Sequence, residues 1–358
     1  MAPTSKTGVA GLVLAAGKGT RMRSALPKVL HPLLGKPMLS YVHSALMDAG
    51  ISSSGVVLGE DLSGFEGFLA EKTDISVAIQ ENRLGTADAV AAAIDLFPGA
   101  QRPPYAKGRV FQGQALDAHS VLICAGDIPA ITASTLNRFV DRCLETNAEL
   151  GVIGMRVTDP TGYGRLVLDR EGCLKAIVEE KDADDPTRQI NLCNTGVIFA
   201  KVERLFELLS ELNASNAQGE YYLTDCFAAA RAKDIKTQVL ESEVWQDFCG
   251  VNNRMQLAEV EKLLARRRLD ELMLSGVSCQ LPDTIYIEHA VEVAPESYLA
   301  PNCYLKGQTK IGRSCRIGAG VVLDDVVVQD DAVIEPGCVL ANCTIESGTK
   351  VEALTLRT

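Results

Sequence analysis

Aromatic residues make up only 5% of the 358-residue chain, and there is a single tryptophan. That is too sparse for a surface on which nucleobases stack in series. Histidine is also scarce, at four, and no Cys-x-x-Cys pair occurs among the eleven cysteines. A zinc site of ordinary ligand spacing is therefore not indicated. The cysteines are odd in number and scattered, whereas a disulfide framework belongs to much smaller secreted chains. They read as small buried apolar residues of a protein in a reducing cytoplasm. No apolar run reaches the length of a membrane span. Residues 9–16, after eight small and mostly polar residues, come nearest, but a strand-and-glycine-loop context argues against a signal-peptide core. The net charge of −11 argues against nonspecific binding to nucleic acid or to an anionic membrane. It also requires that an anionic substrate be met by local cations.

What is present suits a globular protein of two domains: 47% hydrophobic and 23% charged residues in a chain long enough for two cores. Up to about residue 251, apolar β-rich runs (9–14, 55–58, 76–79, 121–124, 151–155, 197–199, 235–240) alternate with helical patterns (37–49, 87–96, 134–146, 202–212, 222–233). The alternation predicts an α/β fold, with a mostly parallel sheet covered by helices on both faces. Residues 98–119, rich in glycine and proline and without a period, predict a long surface loop or hairpin, either a solvated insertion or a lid or partner contact. Residues 253–274 predict one continuous helix with an apolar face at Leu257, Val260, Leu263 and Leu264. Its Arg266-Arg-Arg268 triplet suits the C-terminal end of a helix and reads as a solvated face.

Beyond Gly276 the pattern changes. Ile287, Val293, Leu299, Leu305, Ile311, Ile317 and Leu323 recur every six residues. After a step of five come Val328, Ile334 and Leu340, and after another Ile345 and then Val351. A six-residue aliphatic period describes a parallel β-helix whose aliphatic positions point into a prism. Three hexapeptides to a turn give about four turns. A homotrimer packed along these prisms is the expected assembly.

The stretch with most chemistry is Leu12-Val-Leu-Ala-Ala-Gly-Lys-Gly-Thr-Arg-Met22, followed by Leu26-Pro-Lys28. A buried strand breaks into a glycine loop carrying Lys18 and Arg21. Such a loop sits beyond the carboxyl ends of the strands, where ligands bind in these sheets, and its backbone N–H groups can form an anion nest. It matches neither the P-loop nor the dinucleotide fingerprint; an idle strand-to-helix turn is the alternative. Lys28, held after a proline near this loop, can stabilise charge on a transferring phosphoryl group, or be an exposed loop lysine. Asp127, at the tip of an apolar strand in Ile123-Cys-Ala-Gly-Asp-Ile-Pro129, suits a hard cation such as Mg²⁺, or simply makes the turn before Pro129. Asn252 can add a neutral oxygen to the same cation, or cap the long helix.

Leu14-Ala-Ala-Gly-Lys-Gly-Thr-Arg-Met22 with Leu26-Pro-Lys-Val-Leu30 resembles the sugar-1-phosphate nucleotidyltransferases. More closely, the chain resembles the bacterial bifunctional N-acetylglucosamine-1-phosphate uridylyltransferase/glucosamine-1-phosphate acetyltransferase family. Leu84-Gly-Thr86, Gly126-Asp-Ile-Pro129, Asp159-Pro-Thr-Gly-Tyr-Gly-Arg165, Ile177-Val-Glu-Glu-Lys-Asp182, Asn194-Thr-Gly196, Gln218-Gly-Glu-Tyr-Tyr-Leu-Thr-Asp225 and Gly250-Val-Asn-Asn-Arg254 carry it, in the family's order. The resemblance implies a Rossmann-like nucleotidyltransferase domain with a mixed, mostly parallel sheet (1–252), a connecting helix (253–276) and a short left-handed parallel β-helix (277–358).

It further implies that Leu14, Ala15, Ala16 and Gly17, with Gln80, Gly85 and Thr86, hold the uridine of UTP. Arg21 and Lys28 then act as catalytic residues at the triphosphate. Gly164, Glu179, Asn194, Tyr222 and Thr224 line a pocket for an N-acetylamino-sugar-1-phosphate, while Asp127 and Asn252 hold Mg²⁺. The expected activity is synthesis of UDP-N-acetylglucosamine, a cell-wall precursor; another sugar-1-phosphate is the alternative, and a non-catalytic regulatory homologue a lesser one. Two departures stand out. Ala125 replaces a tyrosine usual two residues before the metal aspartate. The family's acetyltransferase half has further β-helix coils with a catalytic histidine, whereas the β-helix histidine here, His289, lies at its start; no acetyltransferase activity is expected of this chain.

Overall fold

A computed structural model describes residues 6–72 and 75–357; the first five residues of the polar lead and Thr358 lie outside the described residues. In chain order the elements are β1 (Val9–Leu14), a hairpin of β2 (Pro32–Leu33) and β3 (Lys36–Pro37), α1 (Met38–Asp48), β4 (Ser54–Gly59), α2 (Glu66–Glu71), β5 (Ser76–Gln80) and α3 (Thr86–Ala92). Then come β6 (Gly108–Gln112), β7 (Ser120–Ala125), α4 (Ala133–Glu145), β8 (Leu150–Arg156), β9 (Arg165–Leu168), β10 (Leu174–Val178) and α5 (Asp185–Arg188). β11 (Leu192–Lys201), α6 (Val202–Glu211), α7 (Asp225–Ala232), β12 (Thr237–Ser242) and α8 (Arg254–Leu274) follow. The chain divides into two units: Met1–His31 with Met38–Asn253, and Pro32–Pro37 with Arg254–Thr358.

The first unit is built on a mixed sheet of order β10-β9-β11-β7-β1-β4-β5-β6, with β8 beside β11 and β12 beside β8. Its centre, β7-β1-β4-β5, is parallel, and β11 and β6 close it antiparallel on either side. β1 is central because both of its faces are apolar. Val9 and Val13 enter one hydrophobic cluster with Leu39, Leu46 and Phe139; Ala10 and Leu12 enter the other with Val90, Leu205 and Phe227. Successive side chains of a strand point to opposite faces, so one short run feeds both cores. Helices consequently pack on both sides, as the alternation of elements predicts.

Three features of this unit differ from the sequence reading. The 98–119 stretch contains a strand, β6, paired with β5 at the sheet edge. Its side chains are mostly exposed, which is why no hydrophobic period marks it. β9 and β10 form an antiparallel hairpin too short for a visible alternation. The helix expected over 222–233 begins at Asp225, so Tyr222 and Thr224 stand in the segment that leads into it.

In the second unit, strands from Ser278–Cys279 to Leu356–Arg357 form three parallel sheets of five, five and four strands, the three faces of a parallel β-helix. Rungs Ile287↔Leu305 and Leu305↔Leu323 lie eighteen residues apart, three hexapeptides to a turn. Leu323↔Leu340 and Ile311↔Val328 are separated by seventeen, because each such turn contains one five-residue step. The hexad positions from Ile287 to Ile345 are buried at 9% exposure or less. α8 buries Val260, Leu264, Leu269 and Leu272. Its basic triplet is tied down more than a solvated face requires: Arg266 pairs with Asp270 and Asp283, and Arg268 donates to the carbonyl of Val291. The β2–β3 hairpin belongs to this unit through Leu34, whose N–H donates to Glu261 Oε1 at 3.1 Å and whose carbonyl accepts from His289 N–H at 2.9 Å. Nothing in the sequence signals that excursion.

Seven of the eleven cysteines are buried, and burial pushes the Cys124 and Cys143 thiols up to about 12. No helix among the described residues is long and apolar enough to cross a membrane.

Candidate active site

The tips of β1 and β7 are stitched together by a hydrogen bond from Gly126 N–H to the carbonyl of Leu14, 2.9 Å. Past this stitch the two strands diverge into the glycine loop and the Asp127 turn. Gly19 has φ +59°, and a Cβ there would lie 2.5 Å from Cβ of Lys28. Only glycine lets the loop close onto the Lys28 segment in this conformation. Lys28 opens a short 3₁₀ turn after Pro27 and pairs with the carboxylate of Asp127. The same ammonium donates to Oδ1 of Asn252 at 3.3 Å, and Arg21 Nη2 donates to that oxygen at 2.9 Å. Val251 N–H binds the carbonyl of Asp127 at 2.9 Å, which joins the 250–252 segment to the β7 tip. Four residues widely separated in sequence thus meet: Arg21, Lys28, Asp127 and Asn252. Asn252, a candidate helix cap by position, directs its oxygen to these cations.

Beside this cluster lies a cavity of about 440 Å³. Leu14, Ala15, Ala16, Gly17, Gln80, Gly85, Thr86, Asp127, Lys28, Glu179, Asn194 and Thr224 all line it. Gly85 has φ +116°, and a Cβ there would meet the carbonyl oxygen of Tyr221 at 2.4 Å. The 84–87 turn is clamped to this neighbour: Tyr221 N–H donates to Leu84 O, Ala87 N–H donates to Tyr221 O, and Leu223 N–H donates to Thr86 Oγ1. On the opposite wall Thr224 Oγ1 donates to Glu179 Oε1 at 2.9 Å. Burial holds the Glu179 carboxyl above its ordinary range; the Thr224 bond opposes this, and the nearby carboxylates of Asp225 and Asp182 add to it.

Arg21, Gly164, Tyr222 and Asn252 stand outside the cavity lining. Arg21 and Asn252 reach it through Lys28. Gly164 backs it: its carbonyl accepts from Asn194 N–H at 2.8 Å, and a Cβ there would sit 3.2 Å from Glu179 Oε2. Tyr222 is buried, its hydroxyl accepting from Gln218 Nε2 at 2.7 Å. Sequence reasoning passed over Arg83 and Glu220, which do line the cavity. Arg83 Nε donates to Ala16 O at 2.9 Å; its place between Gln80 and Gly85 was the available signal. The cavity is also lined by Ala125 and Gly196, whose added Cβ would be 3.6 Å from that of Ala125. The small pair leaves that wall open. Tyr105 of the 98–119 stretch stacks on Tyr221, ring centroids 3.8 Å apart, so this stretch is more than a solvated insertion.

An anionic and a neutral oxygen, from Asp127 and Asn252, converge on positive charge at Lys28. That donor set fits a hard divalent cation, which is held by one or two protein oxygens when phosphates supply the rest.

A glycine loop, a lysine and a carboxylate gathered at the tips of a parallel sheet, above a cavity of ligand size, define a nucleotide-transferring class of site. The chain belongs to the MobA-like NTP transferase domain family, which it matches over residues 11–190. Residues 281–357 match the GMPPB C-terminal domain. Curated relatives are proteins named bifunctional protein GlmU, in keeping with the resemblance carried by the motifs. That of Geotalea daltonii is 37% identical over 289 residues, 81% of this chain and 60% of the relative. That of Chromohalobacter salexigens is 40% identical over 271 residues, 76% of this chain and 55% of the relative. The chain therefore spans somewhat over half the length of these relatives. In fold it is similar to a putative glucose-1-phosphate thymidylyltransferase from Bacillus anthracis, solved in complex with a sucrose. The TM-score is 0.55 at 17% identity, over 71% of this chain and 94% of that one.

Proposed function

We propose that the chain is a sugar-1-phosphate nucleotidyltransferase that converts UTP and N-acetylglucosamine-1-phosphate to UDP-N-acetylglucosamine and pyrophosphate. The observation that carries this reading is the convergence of Arg21, Lys28, Asp127 and Asn252 beside the Gly17 loop. In the reaction a phosphate oxygen of the sugar phosphate attacks the α-phosphorus of UTP. A phosphorus–oxygen bond forms there as the bond from that phosphorus to the oxygen bridging the α- and β-phosphates breaks, and pyrophosphate leaves with that oxygen. The attacking oxygen is ionised at neutral pH, so no protein nucleophile or base is required, and positioning and charge neutralisation carry the catalysis. Lys28 meets the negative charge that builds on the transferring group, and Arg21 meets the departing phosphates. The backbone from Leu14 to Gly17, with Gln80, Gly85 and Thr86, holds the uridine; Glu179, Asn194 and Thr224 orient the sugar hydroxyls and amide, with Gly164 and Tyr222 behind them. Asp127 and Asn252 would hold Mg²⁺, which when bound neutralises phosphate charge.

The motifs around Glu179 and Asn194, with the family resemblance they carry, support the amino sugar. The openness at Ala125 and Gly196 is the reason to keep a different sugar-1-phosphate as the second reading. A homotrimer assembled through the β-helix, in the cytoplasm, completes the proposal. The test is a coupled pyrophosphate-release assay with UTP against N-acetylglucosamine-1-phosphate, glucosamine-1-phosphate and glucose-1-phosphate. Preference for the first is expected; pyrophosphate release with none of them overturns the reading.

A further inference from the structure

Asp88 lies in the first turn of α3 and is 0% exposed, with no cation against its carboxylate among the described residues. Its Oδ2 accepts from Gln80 Nε2 at 2.7 Å and from Leu84 N–H at 3.2 Å. Gln80 Nε2 also donates to the carbonyl of Gly85 at 3.2 Å. A peptide carbonyl is an acceptor only, and the Leu84 N–H requires that the Asp88 oxygen facing it accept too. This holds even if burial protonates Asp88, since the proton would then sit on Oδ1. The amide of Gln80 is thereby fixed with its nitrogen inward and both of its hydrogens in use. Oε1 remains, accepts from no described residue, and belongs to a side chain that lines the cavity beside Gly85.

We propose that Asp88 is a specificity-determining positioning residue. It keeps an acceptor, and no donor, of Gln80 turned to the nucleotide base, so that the site takes a pyrimidine whose ring carries an N–H. Uracil has that N–H; cytosine presents a lone pair at the same ring nitrogen and would leave two acceptors face to face, unpaired in a desolvated pocket. The inference rests on the reading of the Gln80–Gly85 wall as the base subsite of a UTP-using enzyme.

The test is calorimetric binding of UTP and of CTP to the intact protein, alongside kcat/KM for both nucleotides. The wild type should favour UTP. In Asp88→Ala the Gln80 amide is freed to turn, and the UTP:CTP ratio should fall about tenfold or more, through CTP gaining as well as UTP losing. Asp88→Asn keeps an oxygen facing Leu84 and Gln80 and should retain the ratio within about threefold. Asp88→Leu, which fills the volume without an acceptor, serves if the alanine variant does not fold. A merely structural role for Asp88 would lower affinity for both nucleotides alike, and an unchanged ratio in Asp88→Ala or Asp88→Leu overturns the inference. A wild type that does not distinguish UTP from CTP overturns the base-subsite reading instead.

Discussion

Nη2 of Arg21 and Oδ1 of Asn252 lie 2.9 Å apart although 231 residues separate them in the chain. The bond ties the glycine loop after β1 to the segment just before α8, and Lys28 shares the same oxygen. Asn252 is thus a neutral oxygen already committed to cations, next to the carboxylate of Asp127, which pairs with Lys28. Asp127→Ala should abolish turnover by removing the anionic oxygen of the cation site. Pyrophosphate release measured across a Mg²⁺ titration checks this: near-normal activity at limiting Mg²⁺ would contradict the assignment. Asn252→Ala should be milder, raising the Mg²⁺ concentration needed for half-maximal rate.

Lys28 is half-buried between Gly19 and Asp127, placed to act on charge that develops rather than on charge already present. Lys28→Ala should therefore lower kcat by about 10²–10³-fold, on the order of 2–4 kcal/mol, the loss typical of removing one preorganised donor to a developing oxyanion. Initial rates over both substrates separate the alternatives. An effect confined to KM would mean that Lys28 only binds the ground state.

The half-buried carboxyl of Glu179 carries a pH signature. Its value is raised in the folded protein, so between the unfolded value and this raised one the folded state holds more protons than the unfolded. Stability must then fall as pH rises through that window, and the cost persists above it. Glu179→Gln removes the titration. The variant should gain stability relative to the wild type as pH rises from about 4 to neutrality, read from denaturation midpoints at several pH values. It should also weaken binding of the sugar phosphate at neutral pH if the ionised carboxylate accepts from sugar hydroxyls.

The parallel centre of the sheet and the β-helix were legible because each repeats a physical period. Val9 to Leu14 is apolar on both faces, and the aliphatic hexads persist from Ile287 to Ile345. The Lys28–Asp127–Asn252 cluster could be nominated by residue type and motif, but its hydrogen bonds could not, since they depend on strand tips meeting in space. Features made by single local contacts left no pattern. The docking of Leu34 on Glu261 and His289 turns on two hydrogen bonds, and the stacking of Tyr105 on Tyr221 on one pair of rings. β6 was hidden because an exposed edge strand needs no apolar alternation.

The β-helix itself should respond to substitution according to position within a turn. Leu323 is wholly buried and stacks between Leu305 and Leu340. Leu323→Ala removes its contacts with both rungs and should cost about 2–5 kcal/mol. Two residues on, Asp325 turns the five-residue corner at φ +54°, and its Oδ1 accepts from Gln308 N–H at 2.7 Å. Asp325→Val places a β-branched side chain in the left-handed region and removes that acceptor, for a loss of roughly 1–3 kcal/mol. Asp325→Asn keeps both the carbonyl oxygen and a tolerance for this conformation, and should remain close to the wild type. Urea denaturation of the three variants followed by circular dichroism gives the order directly: Asn, then Val, then the alanine at 323. An Asp325→Val protein as stable as Asp325→Asn would show that the shortened corner does not depend on the backbone conformation and acceptor at this position.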